Sequence, residues 1–149
     1  MKVFVGADYR GFDRKTELLP FLAELGVEAT DEGAYEKVEG DDFNDPAIKV
    51  ALAVRENPDS RGILICDSAH GVTMQANRFK GIRAAHCGTV ESAKLAREHD
   101  NANVLCMSAH FLSDEEMREV VREFLATDFE PLERRVRRVK RLDERNDYD

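Results

Sequence analysis

The fold of this chain follows from the sequence Gly62-Ile63-Leu64-Ile65-Cys66-Asp67-Ser68-Ala69-His70-Gly71. Its first half is a short apolar run, typical of a strand that is buried on both faces of a parallel sheet. Its second half is small and polar, and residues 72–77 then predict the start of a helix. This order places Cys66 at the carboxyl end of a strand, where open α/β sheets bind ligands. The helix N-terminus behind it offers unpaired backbone N–H groups to an anion.

The same alternation of strand and helix recurs along the chain. Strands are predicted over residues 2–7, 27–30, 62–66, 81–87 and 103–108, and the longer helices over residues 14–25, 46–56, 89–98, 113–126 and 130–145. Five strands that alternate with helices predict a parallel, doubly wound sheet. In the helix after Thr89, we expect Ala93, Leu95 and Ala96 to face the core. Without a linker or a repeat, residues 1–149 are expected to form one domain.

Composition narrows the class of protein. The 149 residues carry a net charge of −8, which argues against a general nucleic-acid binder. No apolar run approaches the roughly 20 residues that a membrane span needs, and the N-terminus enters a strand without a signal peptide. Three cysteines without metal-ligand spacing predict neither a disulfide framework nor a metal site. These features together favour the cytoplasm.

The C-terminal segment is basic in an otherwise acidic chain. Six of the eight residues from Arg134 to Arg141 are Lys or Arg. Arg134 and Arg138 share a helix face, and two guanidinium groups at this spacing suit a phosphate, although a solvated helix face is an equally good interpretation. The apolar positions of residues 130–146 form a narrow stripe, which suits contact with a partner subunit better than a place in the core.

Polar and nucleophilic side chains are expected at the carboxyl edge of the sheet. They are Asp8, Tyr9, Cys66, Asp67, Cys87, Ser108 and His110. Each has a plainer interpretation, since Asp8 could cap a turn and Cys66 could be a small buried apolar residue. His99 is predicted just before the last strand, at the opposite edge. It could therefore approach Cys66 only across a dimer interface.

Three known uses of such a loop do not fit. The chain has no Gly-Lys-Ser/Thr for a nucleotide phosphate, no Arg six residues after Cys66 for a phosphatase, and no second Cys at position 69 for a dithiol. A base next to an anion hole remains. A thiolate can take a proton from a carbon beside a carbonyl group, while loop N–H groups hold the enediolate oxygen.

The chain resembles the family of ribose-5-phosphate isomerase type B and galactose-6-phosphate isomerase over nearly its whole length. The resemblance rests on residues 6–12, 50–54, 62–66, 71, 76–78, 81–85, 92–105 and 134–139. It implies a flavodoxin-like fold, a homodimer or dimer of dimers, and metal-free and cofactor-free interconversion of aldose and ketose sugar phosphates.

The resemblance also implies roles for individual residues. Cys66 would move the proton between carbons 1 and 2, and His99 of the partner subunit would open the sugar ring. Asp8 would hold hydroxyl groups, and Asn77 would hold the enediolate oxygen. The other expected site residues are Ser68 and Asp67 at the catalytic loop and Tyr9, Arg10, His70, Gly71, Asn101, His110, Arg134 and Arg138 around the substrate.

The loop after Cys66 departs from the family pattern Gly-Thr-Gly-x-Gly, of which Asp67-Ser68-Ala69-His70-Gly71 retains the last glycine, with a hydroxyl at Ser68. We expect the Asp67 carboxylate to raise the pKa of the adjacent thiol, and Asp67 or His70 is an alternative base. Tyr9 and Arg135 stand where the family has His, and His110 stands where it has Arg. The substrate therefore stays open among ribose 5-phosphate, another sugar phosphate, and a sugar acid or related polyol derivative.

Two functions of other classes compete with the isomerase. One is a non-catalytic, sugar-phosphate-binding subunit of a hetero-oligomer, since one of the paired galactose-6-phosphate isomerase chains lacks the Cys. The other is nucleic-acid binding by the helix that contains Arg134 to Arg141, which predicts strongly salt-dependent affinity.

Overall fold

The structure, a computed structural model, describes residues 1–144. Its elements are β1 Lys2–Ala7, α1 Phe12–Glu24, β2 Glu28–Asp31, α2 Asn44–Glu56, β3 Arg61–Cys66, α3 His70–Ala76, β4 Ala84–His86, α4 Val90–Asp100, β5 Val104–Ser108, α5 Asp114–Ala126 and α6 Glu133–Asp143. Thr89 and Ser113 cap α4 and α5 with their side chains, which accept from the backbone N–H groups of Ser92 and Glu116.

All five strands are parallel and follow the order β2-β1-β3-β5-β4. The chain leaves β1 toward one edge of the sheet and then returns past it to β3. The carboxyl ends of β1 and β3 therefore form the switch point at which ligands bind in such sheets. The predicted doubly wound α/β fold is confirmed; β5 lies next to β3, and β4 is the edge strand.

Strand β3 is buried on both faces, which explains its unbroken apolar sequence. Ile63 and Ile65 pack toward α1, α4 and α5, whereas Leu64 and Cys66 pack toward α2 and α3. The side chain of Cys66 therefore lies in a second core and not in open solvent; the residue is 4% exposed.

Most predicted element bounds lie within two residues of those in the structure, and three predictions differ by more than that or in burial. Strand β4 is shorter than residues 81–87, because Gly81 has a φ of 82° and Ile82 still closes a turn on Phe79. Helix α6 begins at Glu133 and not at residue 130, since Pro131 disfavours a helical conformation for the residue before it. Leu95 was expected in the core but is 38% exposed. Residues 145 and 146, predicted in the last helix, lie outside the described residues.

Candidate active site

Cys66 ends β3 beneath a cradle of backbone N–H groups. Burial raises the pKa of its thiol above the usual range, and the N–H groups of Val72, Ala69 and Ser68 act in the opposite direction. These groups would stabilise a thiolate or a neighbouring oxyanion. The carboxylate that raises the thiol pKa further is Asp8, whereas the sequence had pointed to Asp67.

The cradle depends on an unusual backbone conformation at Ala69. Ala69 has a φ of 70° and a ψ of −8°, in the left-handed region that favours glycine. Such a conformation costs an ordinary residue roughly 1–2 kcal/mol. Hydrogen bonds on either side hold it: the Ser68 hydroxyl accepts from the His70 N–H (3.3 Å), and the Thr73 hydroxyl donates to the Ala69 carbonyl (2.6 Å).

The loop after β3 is tied to the loop after β5. The buried Ser108 hydroxyl donates to the Asp67 carbonyl (2.6 Å), which also accepts from the His110 N–H (3.1 Å). The side chains of Asp67 and His110 face each other, with 3.8 Å between Oδ1 and Nδ1, and are 57% and 63% exposed. The Asp67 side chain is thus directed outward, to His110, which lies more than 40 residues away in the sequence. These two exposed side chains form the mouth of the site.

Asp8 follows β1 on the other side of β3. Burial raises the pKa of its carboxyl, the Gly11 N–H lowers it, and the charge of Asp41 raises it. The Gly11 N–H donates to Asp8 Oδ1 (3.1 Å). Arg10 and Tyr9 lie beside this carboxylate, and the Arg10 guanidinium is 5.9 Å from the centre of the Tyr9 ring. Sequence reasoning missed Asp41, whose Oδ1 accepts from the Tyr9 N–H (3.0 Å).

Two histidines face each other near the start of α3. The rings of His70 and His86 are 5.6 Å apart, and burial, with a smaller contribution from His70, lowers the pKa of His86. Sequence reasoning did not select His86, although its position at the carboxyl end of β4 was a usable signal. Gly71 lies under the Phe43 ring, where a Cβ atom would come within 2.7 Å of Cζ.

The side chain of Asn77 connects α3 to the sheet. Its amide donates to the Ala84 carbonyl (2.9 Å) and accepts from the Ala84 N–H (2.8 Å), which joins the end of α3 to β4. One amide N–H is left for a ligand, so its predicted contact with an enediolate oxygen would have to use that hydrogen.

His99 and Asn101 lie at the opposite edge of the sheet, where α4 ends before β5 begins. Buried Arg97 organises this turn. Its guanidinium donates to the Asn101 side chain (2.9 Å) and to the carbonyl groups of Ala102 (2.6 Å) and Thr127 (3.1 Å). Burial lowers the pKa of Arg97 to about 10. Within one chain, His99 and Cys66 are therefore on different edges.

Helix α6 lies at this second edge too. Arg135 donates to the Glu98 carbonyl (3.3 Å), and Arg83 pairs with Asp143 (2.7 Å). Arg134 and Arg138 are exposed, as are Val136 (47%) and Leu142 (62%). The structure thus separates the expected residues into two groups. The thiol edge of the sheet carries Cys66, and the histidine–arginine edge carries His99, Arg134 and Arg138.

Within residues 1–144, no three His, Cys, Asp or Glu side chains are grouped to hold a metal ion. The same residues contain no helix that is long and apolar enough to cross a membrane. The chemistry that the thiol edge offers is proton transfer at a thiol surrounded by N–H donors, with carboxylates and a hydroxyl group nearby.

Comparison with known proteins places this geometry in a family. Residues 3–142 match the model of the family described as Ribose/Galactose Isomerase. The chain is 40% identical over 128 residues to a probable ribose-5-phosphate isomerase B of Mycoplasma pneumoniae, which covers 86% of this chain and 84% of that protein. It is 32% identical over 130 residues to a D-erythrulose-4-phosphate isomerase of Pectobacterium atrosepticum, which covers 87% and 86%.

The fold of the chain is also similar to that of a solved structure. Ribose-5-phosphate isomerase B of Mycoplasma genitalium with bound ribulose-5-phosphate superposes with a TM-score of 0.92 at 38% identity, covering 95% of this chain and 93% of that chain.

Proposed function

Because this chain belongs to the ribose/galactose isomerase family, we propose that it interconverts the aldose and ketose forms of a sugar phosphate through an enediol. The observation that carries the proposal is Cys66 itself. It ends the central strand at the switch point of the sheet, beneath the N–H groups of Ser68, Ala69 and Val72. A base and an oxyanion site are thereby adjacent, as proton transfer next to a carbonyl group requires.

The proton balance is simple. The Cys66 thiolate takes the proton from carbon 2 of the open-chain aldose, and the electron pair moves onto the carbonyl oxygen at carbon 1. The loop N–H groups hold that oxygen in the enediolate. The thiol then returns the proton to carbon 1, while the hydroxyl proton at oxygen 2 moves to oxygen 1. Asp8 binds a substrate hydroxyl group at the end of β1.

We propose that a second copy of the chain completes this site. His99, which would open the sugar ring, and the exposed pair Arg134 and Arg138, which would hold the phosphate, lie on the edge away from Cys66. The partly exposed apolar residues of α6 supply a contact surface. Mixing inactive Cys66→Ala and His99→Ala proteins tests this, because random dimers would recover about a quarter of the sites. No recovery after subunit exchange would argue for sites within single chains.

Pentose phosphates are the first substrates to test, since most of the compared relatives are named for ribose 5-phosphate. The relative named for D-erythrulose 4-phosphate and the exposed Asp67–His110 pair at the mouth add tetrose phosphates to the set. We also propose the cytoplasm as the compartment, because Cys66, Cys87 and Cys106 are all free thiols.

The deciding experiment uses deuterated water and a panel of tetrose, pentose and hexose phosphates. An isomerase incorporates deuterium at the carbon next to the carbonyl group, and Cys66→Ala abolishes the incorporation while the fold is retained. Ligand-induced thermal stabilisation without any exchange would instead identify a sugar-phosphate-binding subunit. Exchange retained in Cys66→Ala would move the base to Asp67 or His70.

A further inference from the structure

The ammonium group of Lys15 is buried at the side of the active site and has no role in the proposed chemistry. Lys15 lies on α1 and is 1% exposed. Its Nζ donates to both carboxylate oxygens of Asp31 (2.8 and 3.0 Å) and to the Ala34 carbonyl (2.5 Å). The rings of Phe12 and Tyr35 lie 5.1 and 5.9 Å from it. The group is thus fully bonded and confined.

These bonds fix a segment that continues the sheet beyond β2. Asp31 Oδ1 also accepts from the Gly33 N–H (2.8 Å). The Ala7 N–H then donates to the Gly33 carbonyl (2.8 Å), and the Ala34 N–H donates to the Ala7 carbonyl (2.7 Å). Lys15 therefore holds Gly33 and Ala34, and they in turn hold the residue that precedes Asp8.

The far end of the same loop binds the residue that follows Asp8. Asp41 Oδ1 accepts from the Tyr9 N–H (3.0 Å). The loop of residues 31–45 is therefore hydrogen-bonded to both neighbours of Asp8, which are Ala7 and Tyr9. The loop also lines a cavity of about 520 Å³ that includes Gly33 and Asp41. A loop of this length has many conformations unless specific bonds restrict it, and the Lys15 ammonium supplies three of those bonds.

We propose that Lys15 is a positioning residue whose ammonium group, through Asp31 and Ala34, sets the place of the Asp8 carboxylate relative to Cys66. The meaning of this placement for catalysis rests on the proposed function. The placement itself does not, because the charge of Asp8 acts on the Cys66 thiol whether or not a sugar is isomerised.

A double-mutant cycle on the thiol tests the proposal without any substrate. The proteins are the wild type, Asp8→Asn, Lys15→Met and the double variant. The apparent pKa of Cys66 is obtained from the pH dependence of its alkylation by iodoacetamide, followed on the Cys66 peptide by mass spectrometry. Asp8→Asn should lower that pKa when Lys15 is present and lower it by less than half as much in Lys15→Met. An equal lowering in both backgrounds would overturn the proposal.

The same four proteins give a kinetic cycle. Lys15→Met should reduce kcat/KM about ten- to a hundredfold when Asp8 is present and cause no further loss in Asp8→Asn. Independent, multiplicative losses would count against the proposal. If none of the proteins isomerises a sugar phosphate while the thiol cycle shows coupling, the proposed function fails and the positioning role stands.

Two further variants complete the design. Lys2→Met makes the same change at the exposed, opposite end of β1 and should alter neither the thiol pKa nor kcat/KM. Asp31→Asn replaces Lys15→Met if that protein does not fold, since an amide oxygen can still accept from the Gly33 N–H. It should reproduce the loss of coupling, and full coupling in Asp31→Asn would refute the role of the Lys15–Asp31 bond.

Discussion

A methyl group added at Gly11 would collide with the strand that carries Cys66. The Cβ atom of Gly11→Ala would lie 2.3 Å from the carbonyl oxygen of Ile65 and 2.6 Å from its carbonyl carbon. Carbon–oxygen contacts in proteins are about 3.3 Å or longer, so the two backbones must separate by roughly 1 Å. Ile65 belongs to β3 and bonds within the sheet on both sides, so the displacement passes to Cys66.

The expected result has two parts. A misplacement of about 1 Å at a reacting group costs on the order of a hundredfold in rate. We therefore expect kcat to fall by about that factor in steady-state isomerisation assays. Overpacking of this kind costs about 1–3 kcal/mol, which urea unfolding would measure as a reduced free energy of unfolding.

Gly88→Ala is the matched control. Apart from the two neighbouring residues in the chain, no atom lies within 4 Å of the Cβ position at Gly88, so that variant should keep the activity and stability of the wild type. A Gly11→Ala protein with wild-type kcat and free energy of unfolding would refute the reasoning. It would mean that the Ile65 backbone can shift away from the new methyl group without displacing the Cys66 thiol.

Three other perturbations follow from the same site. Cys66→Ala should lose about 10²–10⁴-fold in turnover. In the wild type, kcat should rise with pH toward the raised pKa of the Cys66 thiol, and a kcat that is flat from pH 6 to 9 would exclude that thiol as the base. The Asp8 pKa is raised above 3.8, so the stability it contributes is fully present below pH 3.8 and is lost as the pH rises through its folded-state pKa. Asp8→Asn should accordingly raise the urea midpoint at pH 7 but not at pH 3, and a midpoint increase that is equal at both pH values would contradict this linkage. Arg97→Ala removes the donor of three acceptors, of which the Ala102 carbonyl is buried and the other two are half-buried, and the buried one alone costs about 1–3 kcal/mol. Arg97→Lys should restore only part of the thermal midpoint, because one ammonium group cannot reproduce the guanidinium geometry; full rescue by lysine would show that charge alone matters.

The sequence predicts the sheet well because a strand that is buried on both faces consists mainly of apolar residues. Five consecutive residues from Gly62 to Cys66 are buried on both faces, and the resulting apolar run identifies β3, its carboxyl end and Cys66 as its last residue. The position of His99 relative to β5 follows from chain order in the same way. Local patterns are sufficient here, since each feature depends on neighbours within a few residues.

Contacts between distant segments leave no such mark. Asp41 reaches Tyr9 across 32 positions, and nothing in the acidic loop distinguishes it from Asp42. Lys15 reads as an ordinary helical lysine, although it is among the most buried side chains. Leu95 reads as a core residue from helical spacing, but the core-facing stripe of α4 is narrower and holds Ala93 and Ala96.

The altered loop after Cys66 separates backbone function from side-chain function. Ala69 adopts the left-handed conformation that a glycine would adopt freely, so the N–H groups still converge on the thiol despite the changed sequence. The substituted side chains of Asp67 and His70 are both exposed at the mouth, and neither is needed to form the cradle. In the proposed mechanism, proton transfer uses the N–H groups of residues 68, 69 and 72 around Cys66, whereas the exposed side chains of Asp67 and His70 are placed to contact the sugar. Under that mechanism, we expect the departures from the pattern Gly-Thr-Gly-x-Gly to change which substrate is accepted far more than how its proton is moved.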